Sequence, residues 1–133
     1  MTSILILEDE LYLMTFLQSV LERYTVLEAS TAEEALRRFM DNKCSVGLRI
    51  ADVNLATSSG IQVALLLRQE NPALPVILTS GYPVGNWSVR QFFDLEKLGA
   101  GSVKILQKPF QAQYLLNCVR ELIGELPEAA RTA

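Results

Sequence analysis

The chain has 133 residues, half of them hydrophobic, and a formal net charge of −3. That length and composition suit one domain with a well-filled core rather than a disordered chain. The negative net charge provides no basic surface for nucleic acid. The absence of histidine excludes Ser-His-Asp and Cys-His catalysis and histidine-ligated zinc. No apolar run reaches the ~20 residues of a membrane span.

The two cysteines, Cys44 and Cys118, are isolated in the sequence. The apolar N-terminus lacks the basic segment and the small-residue cleavage site of a secretory signal. Isolated cysteines without an export signal are typical of reduced thiols. We therefore expect a cytoplasmic protein whose cysteines do no chemistry, and Met1 just before the first predicted strand favours a free-standing chain.

Short apolar runs alternate with stretches of helical periodicity along the chain. The predicted strands are residues 3–7, 24–28, 46–52, 74–79 and 103–106, and the predicted helices are residues 11–21, 32–42, 61–70, 87–98 and 111–123. Five strand-helix units in succession predict an α/β fold, a doubly wound five-stranded parallel sheet with helices on both faces. This domain covers residues 1–124, and residues 125–133 are predicted to be a frayed tail.

Polar residues follow four of the five predicted strands: Glu8-Asp9-Glu10, Thr79-Ser80, Asp52 and Lys108. In a sheet of order 2-1-3-4-5 the carboxyl ends of these strands meet around the switch point, where ligands bind. Polar loops are common, but a chance distribution explains four matching strand ends poorly. The sequence therefore predicts one functional site at this edge of the sheet.

The residue types at this edge favour phosphoryl chemistry. Carboxylates crowded into a small cleft repel one another unless a cation lies among them, and Mg²⁺ prefers oxygen ligands while retaining several waters. Lys108 is the kind of cation that holds a phosphate oxygen, and Ser80 provides a hydroxyl donor. Asp52, at the end of the central strand, is then the natural nucleophile for a phosphoryl group.

Four motifs in this order resemble the receiver domains of bacterial two-component response regulators, the CheY-like family. They are Ile-Leu-Ile-Leu-Glu-Asp-Glu at residues 4–10, Ala-Asp-Val-Asn-Leu at residues 51–55 with Gly60 eight residues after Asp52, Pro-Val-Ile-Leu-Thr-Ser-Gly at residues 75–81, and Gln-Lys-Pro-Phe at residues 107–110. The resemblance extends from about Ile4 to Ile123 and implies the flavodoxin-like strand order 2-1-3-4-5.

The resemblance implies a role for each matching residue. Asp52 is the expected phosphoacceptor, and the expected Mg²⁺ ligands are Glu8, Asp9, Asp52 and the backbone carbonyl of Asn54. Ser80 is expected to turn its hydroxyl toward the phosphoryl group, with Thr79 as the competing hydroxyl, and Lys108 is expected to bind that group and to precede a cis peptide at Pro109.

The same resemblance implies a signalling module rather than an enzyme. Such a domain catalyses only its own phosphorylation and dephosphorylation. Its expected partners are a sensor histidine kinase or a histidine phosphotransfer protein, and a downstream target protein. Neither nucleic acid nor a membrane is expected to bind.

The chain departs from the family pattern at three places. Ala56 replaces a common proline, Ile105 replaces the aromatic residue expected three positions before Lys108, and the stretch between Ser80 and Lys108 is long. We interpret the aromatic residues in that stretch, Trp87, Phe92 and Phe93, as core packing under an irregular loop, with a partner surface as the alternative. Because Ile105 has no ring to move, we expect the signal to pass through residues 81–98.

Three other functions remain alternatives at this point. A Mg²⁺-dependent phosphatase with an aspartyl nucleophile typically has a second aspartate two residues later, where this chain has Asn54. A flavodoxin-like FMN binder needs a phosphate loop after the first strand, where Glu8-Asp9-Glu10 would repel phosphate. A receiver-like interaction module that is never phosphorylated is disfavoured because no candidate site residue is missing.

Overall fold

The computed structural model describes residues 2–55, 59–99 and 101–124. In this part of the chain five strands alternate with five α-helices. Their bounds are β1 Ser3–Leu7, α1 Leu11–Val20, β2 Thr25–Ala29, α2 Ala32–Asn42, β3 Val46–Asp52, α3 Gly60–Glu70, β4 Val76–Ser80, α4 Val89–Leu98, β5 Val103–Gln107 and α5 Ala112–Ile123, with a single 3-10 turn at Val84–Asn86 before α4. The predictions for Ala56 and for the tail at 125–133 lie outside the described residues.

The five strands form one parallel sheet in the order β2-β1-β3-β4-β5. The predicted α/β fold and strand order are therefore confirmed. β1 and β3 lie side by side at the centre, where the strand order reverses, so a crevice forms beyond their carboxyl ends. β4 and β5 continue the sheet on the β3 side.

Helices cover both faces of the sheet. One apolar cluster joins Ile4, Ile6 and Ile50 of the sheet to side chains of α1 and α5, and another joins Leu5 and Leu7 to side chains of α2 and α3. All five residues of β1 are buried, as expected for a strand covered on both sides. No helix within the described ranges is long and apolar enough to cross a bilayer.

The fourth strand-helix unit begins later than its sequence predicts. β4 starts at Val76 instead of residue 74, because Pro75 has no N–H for the ladder and contributes only its carbonyl, which accepts from Arg49 N at 3.1 Å. α4 starts at Val89 instead of residue 87. Ser88 caps it, with the Ser88 hydroxyl accepting from Gln91 N and the Gln91 side chain accepting from Ser88 N, a capping box.

The late start of α4 separates the three aromatic residues of this unit. Trp87 precedes the helix and is buried with Ile61 and Leu98 between α3 and α4. Phe92 and Phe93 lie on the helix itself and are 39% and 59% exposed. The interpretation as core packing is confirmed for Trp87 and wrong for the two phenylalanines.

Gly60 permits the close passage of α3 behind the end of β3. A Cβ atom at this position would lie 2.1 Å from the Asp52 carbonyl oxygen, which is backbone and cannot rotate away. We expect Gly60→Ala to lower the free energy of unfolding by about 1–3 kcal/mol, the usual range for overpacking. Urea denaturation is the measurement.

Gly85→Ala is the matched control, because no heavy atom lies within 4 Å of the position of its added Cβ. We expect that variant to unfold within about 0.5 kcal/mol of the wild type. Equal stability of the two alanine variants would contradict the role assigned to Gly60.

Candidate functional site

Three acidic side chains meet at the carboxyl edge of the sheet. β1 and β3 are paired with Leu7 opposite Ala51, so Glu8 and Asp52 leave adjacent strand ends. Carboxylate oxygens of Glu8, Asp9 and Asp52 all lie within 4.8 Å of one another. Glu8 and Asp52 are 2% and 6% exposed, whereas Asp9 faces solvent.

Lys108 brings a positive charge into this acidic cluster. Its Nζ lies 2.6 Å from Asp52 Oδ2 and 3.6 Å from Glu8 Oε2. The backbone holds it in place, because Lys108 N donates to the Ser80 carbonyl at 2.7 Å. The peptide bond between Lys108 and Pro109 is cis, as the sequence predicts. One ammonium group therefore faces the two buried carboxylates.

Burial and charge alter the titration of Glu8. Desolvation raises the pKa of Glu8 above its usual value, and the nearby charges of Asp52 and Asp9 add to that rise. A hydrogen bond from Glu10 N at 3.1 Å and the charge of Lys108 oppose it without cancelling it. Burial, more than the neighbouring carboxylates, therefore disfavours the charged form of Glu8.

Lys108 responds to the same surroundings in the opposite sense. Burial by itself would lower the pKa of Lys108, but the hydrogen bond and the charge of Asp52, assisted by Glu8, raise that pKa above its ordinary value. The ammonium is therefore fully charged at neutral pH. The Lys108 ammonium can therefore also bind an anionic group attached to Asp52.

Both oxygens of the Asp52 carboxylate have partners. Oδ2 accepts from Lys108, and Oδ1 accepts from the backbone N–H of Asn54 at 3.0 Å. The Asn54 side chain, in turn, accepts from Gln91 Nε2 of α4 at 2.9 Å. These bonds fix the orientation of the carboxylate and connect the segment after β3 to the first turn of α4.

The two candidate hydroxyls lie at the end of β4. Thr79 pairs with Asp52 across the β3–β4 ladder, and both Thr79 and Ser80 are buried. The Ser80 hydroxyl donates to the Tyr82 carbonyl at 2.8 Å and accepts from Tyr82 N and from Trp87 Nε1. Within the described residues, its partners are therefore in the segment before α4 and not at Asp52.

All the predicted site residues thus lie at one edge of the sheet. The three carboxylates and Lys108 lie close to one another. Asn54 is linked to them because its backbone N–H donates to Asp52. Ser80 is linked to them because its carbonyl accepts from Lys108 N. Sequence reasoning missed Gln91, although the pattern Ser-x-x-Gln at residues 88–91 is a capping-box signal that places it in the first turn of a helix.

Arg49 was also missed by sequence reasoning. It lies on β3 three residues before Asp52 and is completely buried. Its Nη1 donates to the Gly60 carbonyl at 2.7 Å, while Nε and Nη2 have no hydrogen-bond partner within the described residues. Desolvation lowers the pKa of Arg49 to about 9, so the guanidinium is a buried charge at neutral pH. Within the described residues, the one hydrogen bond of its side chain joins β3 to the start of α3.

Comparisons with known proteins agree on one family. A family model described as the response regulator receiver domain matches residues 4–120. The response regulator protein FleR of Pseudomonas aeruginosa is 32% identical over 127 residues, which are 93% of this chain and 25% of that protein. The alkaline phosphatase synthesis transcriptional regulatory protein PhoP of Bacillus subtilis is 33% identical over 129 residues, which are 96% of this chain and 50% of that protein.

The chain thus spans half or less of the length of these curated relatives. Among solved structures, a response regulator receiver domain protein from Clostridium thermocellum superposes with a TM-score of 0.79 at 26% identity. That alignment covers 92% of this chain and 94% of the other. The sequence similarity to FleR and PhoP therefore extends over only part of each of those longer proteins.

The incomplete hydrogen bonding of Arg49 generates a stability prediction. A buried charge without an ionic partner is costly to desolvate, and apolar side chains of similar volume often replace buried charged groups without loss of stability. We expect Arg49→Met to raise the free energy of unfolding by about 1 kcal/mol, because two unpaired donors and a desolvated charge disappear. Urea denaturation at neutral pH measures this change.

Arg68→Met is the matched control. The Arg68 guanidinium donates to the carbonyls of Leu74, Leu98 and Gly101, so its loss should destabilise the fold by about 1–3 kcal/mol. If both variants lose stability to the same extent, the buried guanidinium of Arg49 is a net stabiliser and this account of it is wrong.

Proposed function

This chain belongs to the response regulator receiver domain family, and from that premise we propose that it accepts a phosphoryl group on Asp52 with Mg²⁺ bound beside it. The donor is a phosphohistidine on a partner protein, and the output is altered docking to a target. The observation that carries the proposal is the 2.6 Å contact between Lys108 Nζ and Asp52 Oδ2 within a cluster of three carboxylates.

The donor set fits a small hard cation. Glu8, Asp9 and Asp52 offer carboxylate oxygens within 4.8 Å of one another, and Mg²⁺ prefers such ligands while keeping several waters. Asp9 and Asp52 are the proposed direct ligands, Glu8 acts mainly through water, and the Asn54 carbonyl completes the protein contribution. When bound, Mg²⁺ supplies positive charge to the acceptor oxygen and to the phosphoryl oxygens.

The arrangement of the side chains supports the proposed phosphoryl transfer to Asp52. An Asp52 carboxylate oxygen attacks the phosphorus, the P–N bond of the donor phosphohistidine breaks, and the imidazole leaves with that electron pair and takes a proton from water. Lys108 is positioned to neutralise a phosphoryl oxygen, because a charged ammonium at hydrogen-bond distance binds such an oxygen strongly. Later attack by water on phosphorus releases inorganic phosphate and restores the carboxylate.

An apolar groove next to the site supports docking of the phosphodonor protein. Tyr12, Phe16, Pro109 and Phe110 line it together with the stem of Lys108, and Tyr12 is 75% exposed. An exposed apolar surface beside a reactive group is typical of a protein contact. We propose that a sensor histidine kinase or a histidine phosphotransfer protein docks there, in the cytoplasm, and presents its phosphohistidine to Asp52.

The alternative of a Mg²⁺-dependent phosphatase has less support. Such an enzyme needs a general acid beside its nucleophile, and the residue two positions after Asp52 is Asn54, whose side chain is engaged by Gln91. A receiver-like module that is never phosphorylated gives no role to the close approach of Lys108 and three carboxylates. Both alternatives are distinguished from the proposal by direct labelling.

We expect the wild-type chain to gain the mass of one phosphoryl group when it is incubated with Mg²⁺ and acetyl phosphate. Asp52→Asn should gain none, because an amide is not a nucleophile for phosphorus under these conditions. Intact-protein mass spectrometry is the measurement. The control is Asp41→Asn, which changes an exposed aspartate on α2 and should label as the wild type does; equal labelling of Asp52→Asn would assign the nucleophile elsewhere.

We expect Mg²⁺ to bind in the millimolar range, since a few carboxylates and several retained waters form an open site. Asp9→Ala should weaken that binding by roughly tenfold or more, because the loss of even a residue that only supports a metal ligand lowers metal affinity to that extent. Isothermal titration calorimetry measures the affinity. Asp41→Ala, which removes an acid remote from the cluster, is the control, and an unchanged affinity in Asp9→Ala would refute the ligand assignment.

A further inference from the structure

The Ser80 hydroxyl is fully occupied by the segment that leads into α4. A serine hydroxyl has one donor and two acceptor positions. The donor is used on the Tyr82 carbonyl at 2.8 Å, and the acceptors are used by Tyr82 N at 3.1 Å and Trp87 Nε1 at 3.2 Å. Ser80 therefore cannot donate to a group on Asp52 without giving up a bond to this segment.

Trp87 connects that hydroxyl to the helix. Its side chain is 7% exposed and packs with Ile61 and Leu98, between α3 and α4. The next residue, Ser88, caps α4. Because Trp87 directly precedes the N-cap residue of α4, movement of the indole bears directly on the first turn of the helix.

The indole N–H already has a second acceptor. Trp87 Nε1 also lies 3.2 Å from the Tyr82 carbonyl, the group that accepts from the Ser80 hydroxyl. When Ser80 leaves, the Tyr82 carbonyl can keep Trp87 as its donor, so the buried N–H is not left unpaired. This exchange of partners makes two discrete arrangements available to the same three groups.

β5 reaches the site through Lys108, which follows the strand and bonds both Ser80 and Asp52. Ile105 within β5 is 37% exposed and apolar, so its side chain offers no polar atom for which two positions would compete. By contrast, α4 is linked to the site twice, through Trp87 to Ser80 and through Gln91 to Asn54.

We propose that Trp87 is the positioning residue that couples the Asp52 site to α4. Its indole N–H holds the Ser80 hydroxyl in the resting arrangement, and withdrawal of Ser80 toward a phosphoryl group on Asp52 breaks that bond and shifts the N-terminus of α4. The inference rests on the proposed function, because it supplies the route by which phosphorylation of Asp52 changes the surface of α4.

The sole tryptophan of the chain makes the bond directly observable. The wild type has one indole N–H resonance, and the phosphoryl mimic beryllofluoride with Mg²⁺ should shift it. Bound beryllofluoride is monitored separately by ¹⁹F NMR. Ser80→Ala should shift the indole resonance before any addition and abolish its further response at saturating beryllofluoride, whereas Ser80→Thr, which keeps the hydroxyl, should respond as the wild type does.

Coupling to the helix is tested with Trp87→Phe, which keeps a ring and removes the N–H. Hydrogen exchange of the α4 amides should change on beryllofluoride binding in the wild type, and the change should be much smaller in this variant, in which only the Gln91–Asn54 link remains, although ¹⁹F NMR still shows the bound mimic. Tyr82→Phe is the matched control, because the hydrogen bonds of Tyr82 within the described residues use its backbone alone, and its α4 response should persist.

The possible failures are distinguishable. Absence of bound ¹⁹F signal in the wild type overturns the proposed function, and this inference with it. Bound mimic with an unmoved wild-type indole resonance overturns the inference alone, and so does an α4 response in Trp87→Phe equal to that of the wild type. If Trp87→Phe does not fold, the indole resonance of the wild type and of the two Ser80 variants decides the question.

Discussion

The contact between Lys108 and Asp52 is the interaction on which the proposed acceptor site depends. Two buried carboxylates and one exposed carboxylate share a cleft, and their mutual repulsion opposes this arrangement unless positive charge is present. Lys108 supplies part of that charge from the end of β5, where its backbone is bonded to Ser80. The strand order matters because it places the carboxyl ends of β1, β3, β4 and β5 around this one pair of charges.

The bonds around the cleft also explain how a change at Asp52 can reach the surface. Asp52 is connected to α4 through the Asn54 backbone and the Gln91 side chain, and Ser80 is connected to it through Trp87. A new anionic group on Asp52 would compete for the same donors, because phosphoryl oxygens are stronger acceptors than a carbonyl. Exposed Phe92 and Phe93 lie on the helix that these bonds orient, so α4 is the surface whose contacts the proposed signal would change.

Much of this site is predictable from the sequence, because its position depends only on the parallel direction of the strands. Glu8, Asp52 and Lys108 follow apolar runs, and parallel strands bring their carboxyl ends to a common edge. The partners of the Ser80 hydroxyl are not predictable in this way, since they depend on how Trp87 packs between two helices. The burial of Arg49 is not predictable for a related reason. The alternation of side chains along a strand assigns a charged residue to solvent, whereas helices cover both faces of this sheet.

The central claim is that Asp52 accepts the phosphoryl group, while Lys108 neutralises a phosphoryl oxygen and the acidic cluster binds Mg²⁺. Borohydride reduction of the chain after acetyl phosphate treatment, followed by peptide mass spectrometry, tests that claim most directly, because an aspartyl phosphate is reduced to homoserine at the modified position. The account predicts homoserine at position 52, and its formation should require Mg²⁺. Homoserine at position 9 instead, or its complete absence when Mg²⁺ is present, would contradict the account.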